Sequence, residues 1–297
     1  MKQVSKLRKE EGAAGLLMVS PSLLYFFLFF LFPFCICIYA GFTNWNILSP
    51  NRMFVGFRNY EKIFNDPKFW IALKNTFYML VPIPFYLMLG LMFAYACHNK
   101  IPWERLFRVI YYIPYISSIV ALVLIWKWLF NSEFGVINHF LSFLGVGTID
   151  WLHDPVWTKR MIVMMITWKF IGVMSIYYLA VLKSVPKSYY EAADIDGASK
   201  FQQFIKITFP LITPTTFYLV IVGIIGSLQT FVEVQLFAPD GGRGYGVATI
   251  VLYIWQKAFT SSQMGYACAT ATIFGLLILV LTVFQMSVSK RWVYDGE

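Results

Sequence analysis

The chain has 297 residues, of which 59% are hydrophobic, 19% aromatic and only 13% charged, with a net charge of +9 and a mean hydropathy of +0.64. Charged residues normally supply about a quarter of a soluble domain, so a water-soluble fold is excluded, because it would expose too much apolar surface. The basic residues are dispersed among loops and span ends, which fits membrane topology and argues against a nucleic-acid partner.

Six runs are long enough to cross a bilayer, which takes roughly 20 apolar residues: 16–42, 76–97, 109–130, 161–182, 209–231 and 265–288. They do not alternate as barrel strands would, and helices satisfy their own backbone in lipid. The predicted fold is therefore an all-α membrane protein of six transmembrane helices. Residues 1–12 read as a basic tail with little structure of its own. Lys2, Lys6, Arg8 and Lys9 precede the first run, which is too long for a signal peptide and is read as a retained span. The short segment 98–108 carries Lys100, Arg105 and Arg108 and is placed inside, which puts both termini in the cytoplasm.

Three outer segments follow from that topology. Residues 43–75 form an aromatic-rich loop with interfacial helices, and 131–160 a loop with turn signals at Phe134-Gly135 and Asp154-Pro155. In 232–264, "VATIVLYIWQKAF" is too short to span and reads as a surface or re-entrant helix. Prolines 21, 33, 82, 84, 114 and 214 fall inside predicted spans; they either kink packed helices or bend them around a pathway. Lys169 sits near the middle of the fourth run. A charge there is functional, or it snorkels outward or pairs with a loop carboxylate.

Catalytic equipment is missing from the sequence. There is no G-x-x-x-x-G-K-[ST] phosphate loop, no G-x-S-x-G and no H-E-x-x-H; His98, His139 and His153 stand singly in loops. Cys35, Cys37, Cys97 and Cys268 lie in or at the edge of apolar runs with no C-x-x-C, so they read as small hydrophobes rather than metal or redox ligands.

Between the fourth and fifth runs stands "VPKSYYEAADIDGASKFQQFIKITFP". Ser188 and Glu191 have capping-box spacing, and Asp196 and Lys200 stand at i, i+4. Gly197 disfavours an unbroken helix, so two short helices joined at Asp196-Gly197 are expected, with Pro210 in the first turn of the next span. A helix lying on the membrane surface would favour Lys and Arg. This one leads with Glu191, Asp194 and Asp196, with Ala192, Ala193 and Gly197 small enough for a close approach, which favours docking to a protein.

The stretch resembles the EAA loop of binding-protein-dependent ABC importer permeases, with Glu191-Ala192-Ala193, then Gly197, then Ile207-Thr208-Phe209-Pro210. Phe209 replaces the usual leucine. "FVGFRNYEKIF", "ALKNTFY", "RVIYYIPYISSIVALVLIWKWLF" and "MGYACATA" extend the resemblance to the permeases for maltose-like oligosaccharides, multiple sugars and glycerol-3-phosphate. "APDGGRGYGVAT" departs from the T-x-G-G-P turn of many relatives.

The resemblance implies a type I ABC importer transmembrane domain over 13–292, a cytoplasmic coupling loop at 186–210 and a cytoplasmic end at 293–297. It implies a bacterial or archaeal cell membrane, a second related permease subunit, two copies of an ABC ATPase, an extracytoplasmic solute-binding protein and a sugar substrate. The chain itself would hold no cofactor, ATP and Mg being used by the ATPase. Coupling would fall to Ser188, Glu191, Ala192, Ala193, Asp196, Gly197 and Pro210, and a bulky side chain at Gly197 should uncouple hydrolysis from transport. The solute path would involve Trp168, Lys169, Val173, Gly223, Ser227 and Gln229, residues that otherwise merely pack helices. An ion-coupled secondary transporter or channel, and a membrane anchor for a cytoplasmic partner, are the competing readings.

Overall fold

A computed structural model describes residues 2–49, 52–98 and 104–289. Lys100, in the segment placed inside, and the terminal segment 293–297 lie outside the described residues. The described residues are helical apart from loops and one isolated bridge between Thr43 and Phe54. Among the described residues, five helices are long and apolar enough to span: Ala14–Gly41, Pro67–His98, Pro155–Ser184, Lys200–Phe237 and Met264–Val288. The third predicted span is instead a bent pair, Leu106–Ile116 and Ile119–Leu129, turned by 100°.

That bend has a local cause. Pro114 removes one backbone donor, and Ser117 Oγ donates to the Ile113 carbonyl at 2.7 Å, a contact that competes with the helical ladder. Ser118 then adopts ψ 128° and the chain leaves the helix. Other boundaries also shift. The helix starting at Lys2 includes the segment expected to lack structure. Part of the outer loop 43–75 is the helix Pro67–Tyr78, whose Asp66 cap accepts from Lys68 N at 2.9 Å. The turn signal at Asp154-Pro155 is also a helix start: Asp154 accepts from Val156 N and Trp157 N, with proline in the first turn.

Two prolines share one solution. Pro33 and Pro210 each stand two residues beyond a π-helical turn, Phe27–Leu31 and Phe204–Thr208. A proline ring collides with the carbonyl four residues back and offers no N–H. The wider π turn moves that carbonyl away, and the helix continues.

The chain divides into two compact units. One comprises residues 1–65 and 254–274. Within it Asn59 Nδ2 donates to Gly41 O and Thr43 O, both at 2.8 Å, satisfying carbonyls left open at the end of the first span. The last span starts close by: a Cβ on Gly265 would strike Thr43 O, and one on Gly41 would lie 3.1 Å from Ala269 Cα.

The other unit comprises residues 66–253 and 275–297. Its core gathers Tyr86, Leu87, Ala94, Met174, Tyr178, Leu182, Ile212 and Leu219. Pro82–His98 packs along Pro155–Ser184, closely enough that a Cβ at Gly90 would lie 2.6 Å from Met174 Cβ. Small residues at such crossings let backbones approach in lipid. The loop that departs from the family pattern is pinned here. Asn75 Nδ2 donates to Tyr245 O and Ala248 O, and Thr76 Oγ1 accepts from Ile250 N at 2.8 Å. Gly241, Gly242 and Gly244 take positive φ within it.

Candidate functional site: the broken fifth span and the elbow before it

The fifth span runs as a helix from Lys200 to Leu228, opens at Gln229–Phe231, and resumes as Val232–Phe237. A cavity of about 260 Å³ lies beside the opening. Span five supplies Gly223, Ser227, Gln229, Thr230 and Glu233 to its wall; Tyr86 comes from the second span, and Phe170 and Met174 from the fourth. Tyr86 and Phe170 rings stand 5.4 Å apart, tilted by 33°. The lining therefore combines aromatic faces with hydroxyl, amide and carboxylate groups, a chemistry that suits a hydroxylated solute.

Lys169 stands at the midpoint of Pro155–Ser184 and is not part of the lining. Its Nζ lies 3.5 Å from Glu233 Oε1, with the two side chains 15% and 14% exposed, and 5.5 Å from the Phe170 ring centroid. A buried charge requires a partner of this kind. The carboxylate is thus on the span's own broken end. Gly223, Ser227 and Gln229 converge on the cavity. Val173 is buried in the helix core instead, and Trp168 packs 6.0 Å from Trp126, so neither lines it. Sequence reasoning missed Glu233 because the apolar run was ended at 231, two residues before it. Tyr86 and Phe170 carry no local signal that could have found them.

The elbow before the span comprises Lys187–Ile195 and Lys200–Gln203. The Ser188–Glu191 capping box does not form. Pro186 is the N-cap, without a side-chain hydrogen bond, and Ser188 is already helical, whereas a capping serine needs extended backbone. The box forms one helix later: Ser199, at φ −64° and ψ 157°, accepts from Gln202 N, and Gln202 Oε1 accepts from Ser199 N at 2.8 Å.

Gly197 ends the first helix at φ +73°. Gly197 N donates to Asp194 O at 3.1 Å and Ala198 N to Ala193 O at 2.9 Å, the paired bonds of a Schellman stop. Because the chain turns there, Asp196 and Lys200 do not meet at i, i+4. Lys200 Nζ instead donates to Asp194 at 2.9 and 3.3 Å, and buried Gln203 joins the same carboxylate through Nε2. Tyr190 and Thr208 hydroxyls add a 2.9 Å contact. Pro210 is not in the span's first turn, since the helix already begins at Lys200 and passes through the π turn.

Bonds from Lys200 and then Gln203 hold Asp194 below the usual carboxylate range. Its contribution to the elbow is therefore present at neutral pH and withdrawn as pH falls through that lowered value. Asp194→Asn is expected to speed amide exchange across 194–203 at pH 7 without altering exchange in the spans; equal exchange would show that the brace holds nothing. The elbow also exposes Ile195 by 86% and Phe201 by 74%, with Glu191 and Ala192 exposed. Ala193, Asp196 and Gly197 line a notch of about 400 Å³.

The chain matches, over residues 86–294, the family described as binding-protein-dependent transport system inner membrane component. It is 32% identical over 297 residues to the lactose transport system permease protein LacF of Rhizobium radiobacter, covering 97% of each chain. It is 30% identical to the arabinooligosaccharides transport system permease protein AraP of Bacillus subtilis, covering 96% of this chain and 91% of that one. Its fold matches a chain of a bacterial ABC transporter involved in import of the acidic polysaccharide alginate, with TM-score 0.81, 24% identity and coverage of 98% and 99%. The match to a family over most of the chain and the near full-length relatives lead to one conclusion: the chain belongs to the binding-protein-dependent transport system inner membrane components, and is a multi-pass permease of an ABC importer.

Proposed function

We propose that this permease carries a sugar or oligosaccharide, that the cavity at Gln229–Phe231 is part of its path, and that the elbow at 187–203 docks on a partner ATPase. The observation that carries the reading is the cavity itself. At the opening of span five, aromatic faces from Tyr86 and Phe170 meet the polar groups of Ser227, Gln229 and Thr230. The relatives named for lactose and arabinooligosaccharide transport support the substrate class. The exposed Ile195 and Phe201, held by a braced turn, support a protein socket. The assembly is read as this chain with a second related permease, two ATPase copies and an extracytoplasmic binding protein. The chain acts as a transport subunit, without a nucleotide site of its own.

The test is ATP-dependent uptake by the reconstituted assembly, compared with the chain alone. Uptake should require the ATPase; undiminished uptake by the chain alone would favour a secondary transporter. Gly223→Leu probes the path: a Cβ there already collides with the Tyr86 hydroxyl, and a leucine would fill the cavity wall. The tyrosine can swing aside, so the fold should survive while uptake falls about tenfold or more, the equivalent of about 1.4 kcal/mol. Unchanged uptake would place the solute elsewhere.

A further inference from the structure

The cavity has a charge arrangement that a sugar path alone does not require. Glu233 reaches its wall, whereas Lys169, 3.5 Å from that carboxylate, stands behind it. Among the described residues, no lysine, arginine or histidine lines it. The remaining polar lining, Ser227, Gln229, Thr230 and Tyr86, is uncharged. A solute in the cavity therefore meets one negative group directly and its counter-charge only at second remove.

We infer that Glu233 determines specificity by charge: the cavity admits uncharged, hydroxyl-rich solutes and turns back anionic ones such as uronates or sugar phosphates. The inference rests on the reading of the cavity as the solute path. Both members of the pair are largely shielded from water, so their field is less screened than at a surface. Lys169 supports Glu233 without cancelling it, because the carboxylate is the nearer group and the potential in a narrow cleft follows the nearer charge. Solute hydroxyls can donate to the carboxylate in charge-assisted bonds. The carboxylate or phosphate group of an anionic sugar brings only acceptors and a like charge to the same place.

The test needs no knowledge of the natural sugar. In the assembled transporter with Cys35, Cys37, Cys97 and Cys268 replaced, Gln229→Cys places a thiol on the cavity wall, at a position that is exposed. Its reaction rates with trimethylammonium-, hydroxyethyl- and sulfonate-bearing methanethiosulfonates are divided by those of a free thiol. The cationic and neutral reagents should outpace the anionic one by about tenfold. Glu233→Gln should abolish that preference or, through the Lys169 ammonium it leaves unpaired, reverse it. The double variant Glu233→Gln with Lys169→Met leaves no unpaired charge and should bring the three within about twofold of one another, while Glu233→Asp should keep the difference. Equal rates in the parent, or the parent's preference surviving Glu233→Gln, would overturn the inference alone. Failure of all three reagents to react would show that the cavity is not open to water, and would overturn the solute-path reading together with it.

Discussion

Gly197→Val is expected to abolish transport while leaving the spans inserted and the chain at normal abundance. A Cβ at Gly197 would meet none of the described atoms of this chain within 4 Å. Steric room inside the chain is therefore not the constraint; the backbone is. At φ +73° an L-residue pays roughly 1–2 kcal/mol, and a β-branched one more. That cost falls on the Schellman stop, where the amides of Gly197 and Ala198 satisfy the carbonyls of Asp194 and Ala193. With the stop lost, Lys187–Ile195 would tend to run on, and Lys200 and Gln203 would no longer reach Asp194. Ile195 and Phe201, exposed on either side of the turn, would change their relative placement, and an ATPase docked on both would lose its purchase.

The same reasoning grades the substitutions. Asn is tolerated at positive φ far better than valine, so Gly197→Asn should retain most uptake and Gly197→Ala an intermediate amount. The paired measurement is uptake against ATP hydrolysis in the reconstituted assembly. Hydrolysis that persists while uptake disappears marks uncoupling, and loss of both with the ATPase released marks undocking. Equal uptake by the Val and Asn variants would sink the backbone argument.

How much of this was legible in the sequence differs by element. The apolar runs announced five helices because lipid demands long uninterrupted stretches, and Gly197 announced a helix stop because glycine is the residue that takes positive φ cheaply. Pro114 announced a kink in the third run, but the 100° turn at Ser117–Ser118 was not legible, because Ile119–Leu129 is as apolar as any span and composition does not register direction. Residues 67–75 were read as part of an outer loop with interfacial helices, not as the start of the second span, because Lys68 and Lys74 interrupt their hydrophobicity. In the elbow, the partner of Lys200 was misassigned by applying helical spacing across a break, whereas the turn brings Asp194 to it from six residues away. The cavity was half legible: Gly223, Ser227 and Gln229 lie close in sequence on one span. Tyr86 and Phe170 arrive from two other helices, and no periodicity within one helix reports what faces it from another.

Those helix-to-helix approaches set the other large effect, expected for Gly172→Leu. A Cβ at Gly172 would overlap the carbonyl oxygen and carbon of Tyr111 and lie 2.9 Å from Tyr112 N. These are backbone atoms, which cannot swing aside as the Tyr86 hydroxyl can at Gly223, so Glu104–Ile116 must move away from Pro155–Ser184. Overpacking of this kind costs about 1–3 kcal/mol and more when backbone must shift. The displacement does not stop at the contact, because the same bent span continues as Ile119–Leu129, which packs against Val232–Phe237, the element carrying Glu233. Gly172 lies one turn beyond Lys169 on its own helix. The substitution therefore strains both sides of the Lys169–Glu233 pair, and should lower the thermal midpoint of the solubilised assembly and reduce uptake together. Gly275→Leu is the matched control: it lies inside the last span, and a Cβ there meets no described atom within 4 Å. Its midpoint should match the parent, since leucine is also the better helix former. If Gly172→Leu behaved like Gly275→Leu, the close crossing would carry no stability and could not be what holds the broken ends of these spans around the cavity.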